Sequence, residues 1–105
     1  MELANTPKPP YYAVIFSSIR KNDDSEYHST AKRMDELAKE QPGFLGFETA
    51  RDILGISVSY WDSLEAIQQW KNNAEHKIAQ EKGIKDWYKT YIVRIAKVER
   101  EYTFG

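Results

Sequence analysis

His76 is the residue whose type and position best suit it to move a proton. It lies in the helical stretch expected to cover the sheet, and a neutral imidazole with an ordinary pKa of about 6.5 can accept a phenolic proton near pH 7. The plainer alternative is a histidine on a helix surface or at a cap. The other histidine, His28, follows Tyr27 in the first helical stretch, where a solvated side chain is expected. Trp61, Trp70 and Trp87 are the other conspicuous group. Each alone is better explained by core packing, but a small core seldom needs three indoles, and together they suit a pocket for a flat ligand. Tyr60, Tyr88 and Tyr91 add hydroxyls that either orient a ligand oxygen or bond to backbone at the edge of the core. Arg51 and Arg94 fall within strand patterns. A strand arginine either steers an anionic oxygen or pairs with Glu48 or Glu99 across a dimer.

Other chemistries are excluded by what the 105 residues lack. There is no cysteine, which removes disulfides, thiolate nucleophiles and Cys-ligated zinc. Two histidines with no ligand spacing around them give no metal site. Ser17, Ser57 and Ser59 lie in strands without a Gly-x-Ser-x-Gly elbow. No glycine-rich phosphate loop occurs. Lys and Arg total 15 against 16 Asp and Glu, a net charge of −1. That balance argues against a nucleic-acid partner, which would need clustered positive charge. The aromatic-basic strand of RNA-binding sheets is also missing. The run from Glu81 to Asp86 reads as a solvated face. The longest apolar run, Tyr11 to Phe16, is far short of the roughly 20 residues of a membrane helix, so no membrane partner is expected. The first ten residues lack the apolar core of a secretory signal. A cytoplasmic protein is the expectation.

The elements that must hold these residues follow from periodicity. Pro7, Pro9 and Pro10 make residues 1–10 an extended or disordered arm ahead of one domain over 11–105. Tyr11 to Ser18 is rich in aromatic and β-branched residues and reads as a strand apolar on both faces. Asp23 and Glu26 stand in capping-box spacing before a helix over about residues 24–40, with Tyr27, Ala31, Met34 and Ala38 at helical spacing. Pro42-Gly43 stops it. Phe44 to Arg51 is a second strand, with Leu45, Phe47, Thr49 and Arg51 facing one way. Asp52 to Gly55 is a turn, and Ile56 to Trp61 alternates as the return strand of a hairpin. Asp62 and Glu65 repeat the capping box before a helix with Leu64, Ile67 and Trp70 in one stripe. Asn72-Asn73 breaks it, and Ala74 to Lys82 forms another piece capped by Gly83. Trp87 and Tyr88 fall in a connection, and Tyr91 to Tyr102 is the last strand.

This order predicts an α+β fold: a ferredoxin-like βαββαβ with a four-stranded antiparallel sheet. Helices cover one face of such a sheet. Strands apolar on both faces would leave a large exposed patch. A second copy packed face to face would bury it, so a two-fold homodimer through the sheet is expected.

One stretch is more specific than the fold. It runs Val58-Ser59-Tyr60-Trp61-Asp62-Ser63-Leu64-Glu65-Ala66-Ile67, then Trp70-Lys71, His76, Ala79-Gln80, Gly83, Trp87-Tyr88, Tyr91, Val93 and Val98-Glu99-Arg100. Gln41-Pro42-Gly43-Phe44-Leu45-Gly46-Phe47-Glu48 precedes it. These residues resemble the antibiotic biosynthesis monooxygenase family of dimeric α+β barrels, over about residues 11–104. The resemblance implies the fold and the dimer. It leaves several functions open, because the family holds oxygenases, haem-degrading enzymes, decyclising enzymes and members of no known role. The haem-degrading branch resembles this chain at Trp61 and Trp70. It also uses an iron-ligating histidine near the position of Gln80, one turn after His76, and an asparagine on the first strand, where this sequence has none. Cofactor-free monooxygenases of the family act on phenols or quinols, and need only a dry aromatic pocket, a proton acceptor and a few donors. The leading expectation is such an enzyme, without a cofactor, acting on a small hydrophobic aromatic ligand. His76 would be its base, and Trp61, Trp70, Tyr60, Tyr88, Trp87 and Arg51 would line its pocket. The alternatives are a non-catalytic ligand-binding or stress-response dimer, and a haem-binding or haem-degrading protein.

Overall fold

The computed structural model describes residues 2–21 and 25–105. Its strands are β1 (Tyr11–Arg20), β2 (Phe44–Arg51), β3 (Leu54–Trp61) and β4 (Tyr88–Val98), and its helices are α1 (Ser25–Lys39), α2 (Leu64–Asn72) and α3 (Ala74–Lys82). A π-type turn, Gly83–Trp87, links α3 to β4. The sheet order is β2-β3-β1-β4, with every neighbouring pair antiparallel. This is the predicted ferredoxin-like arrangement. The Asp23 half of the first capping box lies outside the described residues.

Several boundaries differ from the sequence reading, the strand ends through pairing and the helix ends through local contacts. β3 begins at Leu54, because Leu54 pairs with Ile19 and Gly55 with Ser18, leaving only Asp52 and Ile53 for the turn. β4 begins at Tyr88, which pairs with Arg20, and ends at Val98, which pairs with Tyr11 at the start of β1. Beyond Tyr11 there is no partner strand, so the segment from Glu99 to Tyr102 is not strand, and Tyr102 and Phe104 are exposed. The register of β2 shifts between Phe44 and Gly46, so Phe44, rather than Leu45, shares a rung with Trp61. The cap of α2 is Ser63, whose Oγ accepts from the Ala66 N–H at 3.1 Å, not Asp62, whose N–H is spent on the Gly43 carbonyl at 2.8 Å. Gly83 keeps right-handed helical angles, φ −57° and ψ −49°, and carries the chain into the π-type turn instead of ending it. A glycine suits it because a Cβ there would meet the Tyr88 ring at 2.8 Å.

Alternation assigns the faces. Tyr12, Val14, Phe16 and Ser18 of β1 share rungs with Trp61, Ser59, Ser57 and Gly55 of β3. This face meets the helices: Trp61, Ala66 and Ile67 form a buried cluster, with Tyr12, Val14, Phe44 and Trp70 against it. The helices leave β4 largely uncovered, and Tyr91, Val93 and Ile95 on this face are exposed. The other face carries Tyr11, Ala13 and Ile15 with Tyr60, Val58 and Ile92. Its exposed apolar residues include Leu54, Ile56 and Ile92. Residues 2–10 have no regular structure, and hydrogen bonds from Ala4 N to Glu48 (2.9 Å) and from Thr6 to Glu101 (3.0 Å) tie them down at one end of this face. No helix among the described residues is long and apolar enough to cross a membrane.

Candidate functional site

The helix-side face holds two separate clusters of the predicted residues. At one end Trp61, fully buried, donates its Nε1–H to Ser59 Oγ at 2.9 Å. Trp70 of α2 stacks over it, with centroids 6.2 Å apart and planes 26° from parallel. His76 of α3 stacks in turn on Trp70 at 3.9 Å and 14°. The helix break creates this stack. The backbone N–H of Asn73 closes α2 on the Trp70 carbonyl at 3.1 Å, while its side chain caps α3 by accepting from the N–H groups of Glu75 and His76.

His76 Nδ1 lies 2.8 Å from the same Trp70 carbonyl. A carbonyl oxygen only accepts, so at this distance Nδ1 carries the proton and Nε2 keeps its lone pair. The Gln80 amide, 3.3 Å from Nδ1, donates instead to the Lys71 carbonyl at 3.4 Å. Burial pushes the imidazole below its ordinary range, with the bond to Trp70 opposing the shift. The result is a half-buried histidine biased toward its neutral form.

The second cluster sits six residues further along β1, about 20 Å away at roughly 3.3 Å per residue. Ser18, Gly55 and Arg51 share a rung there. The Arg51 guanidinium donates to the buried Ser18 Oγ and lies directly over Gly55, where any Cβ would overlap it. The Tyr88 ring meets Tyr27 edge-on at 5.9 Å, and burial, then Tyr27, raise its pKa, while Arg51 and Arg20 act to lower it. Phe16 packs against Tyr88 and Tyr91 at 5.3 and 5.2 Å. Trp87 is buried edge-on against Tyr27 at 5.6 Å.

Tyr60 belongs to neither cluster. It lies on the opposite face, where its hydroxyl donates to Glu48 at 2.7 Å and its ring meets Tyr11 at 5.8 Å. Burial, then the Glu48 bond, push its pKa up to about 12. Tyr11 donates to Glu101 at 2.7 Å beside it. Arg94 pairs with Ile15 on that same face, and Arg51 points away from Glu48. An open groove of about 370 Å³ runs between α1 and α3, lined by Ser29, Met34, Ile78 and Ala79 and spanned by an Arg33–Glu75 ion pair at 2.7 Å. It contains none of the predicted residues. Among the described residues no three His, Asp or Glu side chains gather as metal ligands do.

Sequence reasoning passed over Ser18, Gly55, Phe16 and Asn73 as site-forming residues. Asn73 was legible as a helix break, but not as the group that brings His76 under Trp70. The seat of Arg51 depends on hairpin register, which the turn residues alone leave open by one or two positions.

Known proteins agree with this architecture. The chain is 55% identical over 104 residues to the uncharacterized protein YqjZ of Bacillus subtilis (strain 168), across 97% of this chain and 91% of that one. Among solved structures it resembles a mutant of SnoaB, a cofactor-independent oxygenase from Streptomyces nogalater, with a TM-score of 0.76 at 12% identity, covering 87% of this chain and 95% of SnoaB. Rv0793 from Mycobacterium tuberculosis superposes with a TM-score of 0.77 at 11% identity, over 89% and 99% of the two chains. At such identities these likenesses speak for the fold. Residues 10–82 match the family model described as antibiotic biosynthesis monooxygenase, and the chain belongs to that family.

Proposed function

We propose that this chain is a cofactor-independent monooxygenase-like enzyme acting on a flat phenol or quinol, with His76 as the proton acceptor. The observation that carries the reading is the 2.8 Å contact of His76 Nδ1 with the Trp70 carbonyl. It assigns the proton to Nδ1 and leaves Nε2 as a lone-pair acceptor on a ring kept neutral by burial. Removing a phenolic proton makes an electron-rich anion that reduces oxygen itself. In an anthrone-type substrate a ring CH2 becomes C=O, one oxygen atom enters the product and the other leaves as water. The four electrons come from the substrate, so no separate reductant is needed. Trp70, stacked on the imidazole at 3.9 Å, covers one face of the acceptor. Family membership and the likeness to SnoaB support the same reaction class.

The functional unit in this reading is a homodimer through the open sheet face, which has exposed Leu54, Ile56 and Ile92 to bury. Sedimentation at micromolar concentration should give twice 12.3 kDa. Oxygen uptake with a panel of anthrones and hydroquinones tests the chemistry. The expected result is turnover that His76→Ala abolishes. Saturable ligand binding with no oxygen uptake would replace the enzyme by a non-catalytic binding protein.

A further inference from the structure

The Arg51 end of the helix-side face has a feature that the proton-acceptor chemistry does not use. Arginine is normally satisfied by a carboxylate when its guanidinium is held in one place. Here the guanidinium is held, but by a neutral partner. It donates to the hydroxyl of Ser18, a side chain only 1% exposed, and it lies flat over the buried Gly55. Among the described residues no carboxylate lies within ion-pair distance of it. Glu48, three residues earlier on the same strand, points to the other face and is engaged by Tyr60 and Ala4. Arg51 acts on the nearby Tyr88 hydroxyl to lower its pKa, against burial and Tyr27. Beside Arg51 stand the rings of Phe16, Tyr88 and Tyr91, with Tyr91 exposed to solvent.

We infer that Arg51 is the anchor for the carboxylate of a planar aromatic acid whose ring lies against Phe16, Tyr88 and Tyr91. One guanidinium N–H is spent on Ser18. The remaining donors still present a planar fork, which matches the two oxygens of a carboxylate better than the single oxygen of a phenol. Ser18 and Gly55 fix the fork before the ligand arrives, so little ordering entropy is lost on binding. The inference rests on the proposed function for the aromatic character of the ligand, and gives that ligand class a site of its own, distant from His76.

The test compares 2-naphthoate with 2-naphthol, which share a ring system but differ in charge at pH 7. Binding is measured by calorimetry without oxygen. The wild-type chain should bind naphthoate about tenfold more tightly than naphthol, as expected for charge-assisted hydrogen bonds in a half-open site. Arg51→Met should bring the two affinities together. Arg51→Lys keeps the charge but loses the fork, and should keep only part of the preference. Gly55→Ala displaces the guanidinium while leaving its charge in the chain, and should lose the preference as Arg51→Met does. If one variant does not fold, the other two carry the comparison. Equal wild-type affinities, a preference that survives both Arg51→Met and Gly55→Ala, or no naphthoate binding at millimolar concentration would overturn the assignment. A lost preference with His76-dependent oxygen uptake intact removes only the anchor. A clear preference with no oxygen uptake keeps the anchor and removes the enzyme.

Discussion

At the Tyr12–Trp61 rung the helix-side face carries a stack of three neutral rings, ending in His76. At the Ser18–Gly55–Arg51 rung, six residues along the same strand, it carries a fixed cation. Both ends hold one titratable or charged group against aromatic neighbours, but by different means. The first end withdraws the group from water, so the charged form becomes costly and the imidazole stays neutral. The second leaves the guanidinium accessible and fixes only its orientation, through one buried hydroxyl and one absent Cβ. The contrast is between a withdrawn imidazole and an oriented guanidinium over one side of the same sheet. Distance along the strand separates them.

If this contrast is functional, changes at the two ends should separate cleanly. The largest expected effect is on rate. His76→Ala should lower oxygen uptake by about 10²- to 10⁴-fold, the usual contribution of a positioned general base. Arg51→Met should act mainly on the affinity for an aromatic carboxylate. Equal loss of turnover from both variants would merge the two ends into one site. Next comes stability. Trp61→Ala removes a fully buried indole at the neutral end and should cost about 3–5 kcal/mol in denaturant unfolding. Arg51→Met, at an accessible position, should cost far less. A small loss from Trp61→Ala would mean the stack is loosely packed and the histidine poorly shielded.

Asn73 offers a smaller and more selective change. Its side chain caps α3 through the N–H groups of Glu75 and His76, so Asn73→Ala should cost about 1 kcal/mol. The same change loosens His76 on Trp70, which would show as a shifted imidazole ¹⁵N spectrum. A cap with no part in the site would cost the stability and leave the spectrum unmoved.

The difference between the ends also marks what the sequence could reveal. Trp61 and Trp70 were legible as a pair through the family resemblance, while only Trp70 had a helical stripe to place it toward the core. The helix break at Asn72-Asn73 was legible from residue type, and so was the four-stranded topology. Arg51 was visible as a strand arginine, but its target was not. Whether it meets Glu48 or Ser18 depends on which face it shares, and that follows from pairing Gly55 with both Ser18 and Arg51. Tyr60, next to Trp61 in sequence, belongs to the opposite face for the same period-two reason, although adjacency suggested a shared pocket. The strand ends at Leu54, Tyr88 and Val98 were set by their partners, which local pattern does not contain.

The smallest expected effect concerns protons at the neutral end. His76 unfolded should titrate near 6.5, and folded it should titrate lower, because burial outweighs the Trp70 bond. Between those two values the unfolded chain binds more protons than the folded one. Stability contributed at this site is therefore full above pH 6.5, falls as pH drops toward the folded midpoint, and levels off below it. Wild type should lose stability across that window more steeply than His76→Gln, which has no proton to take up. An NMR titration of the His76 ring gives the folded midpoint directly. A midpoint at or above 6.5 would mean that the carbonyl bond wins over burial. His76 would then be substantially cationic near neutral pH, and the two ends would carry charges of the same sign.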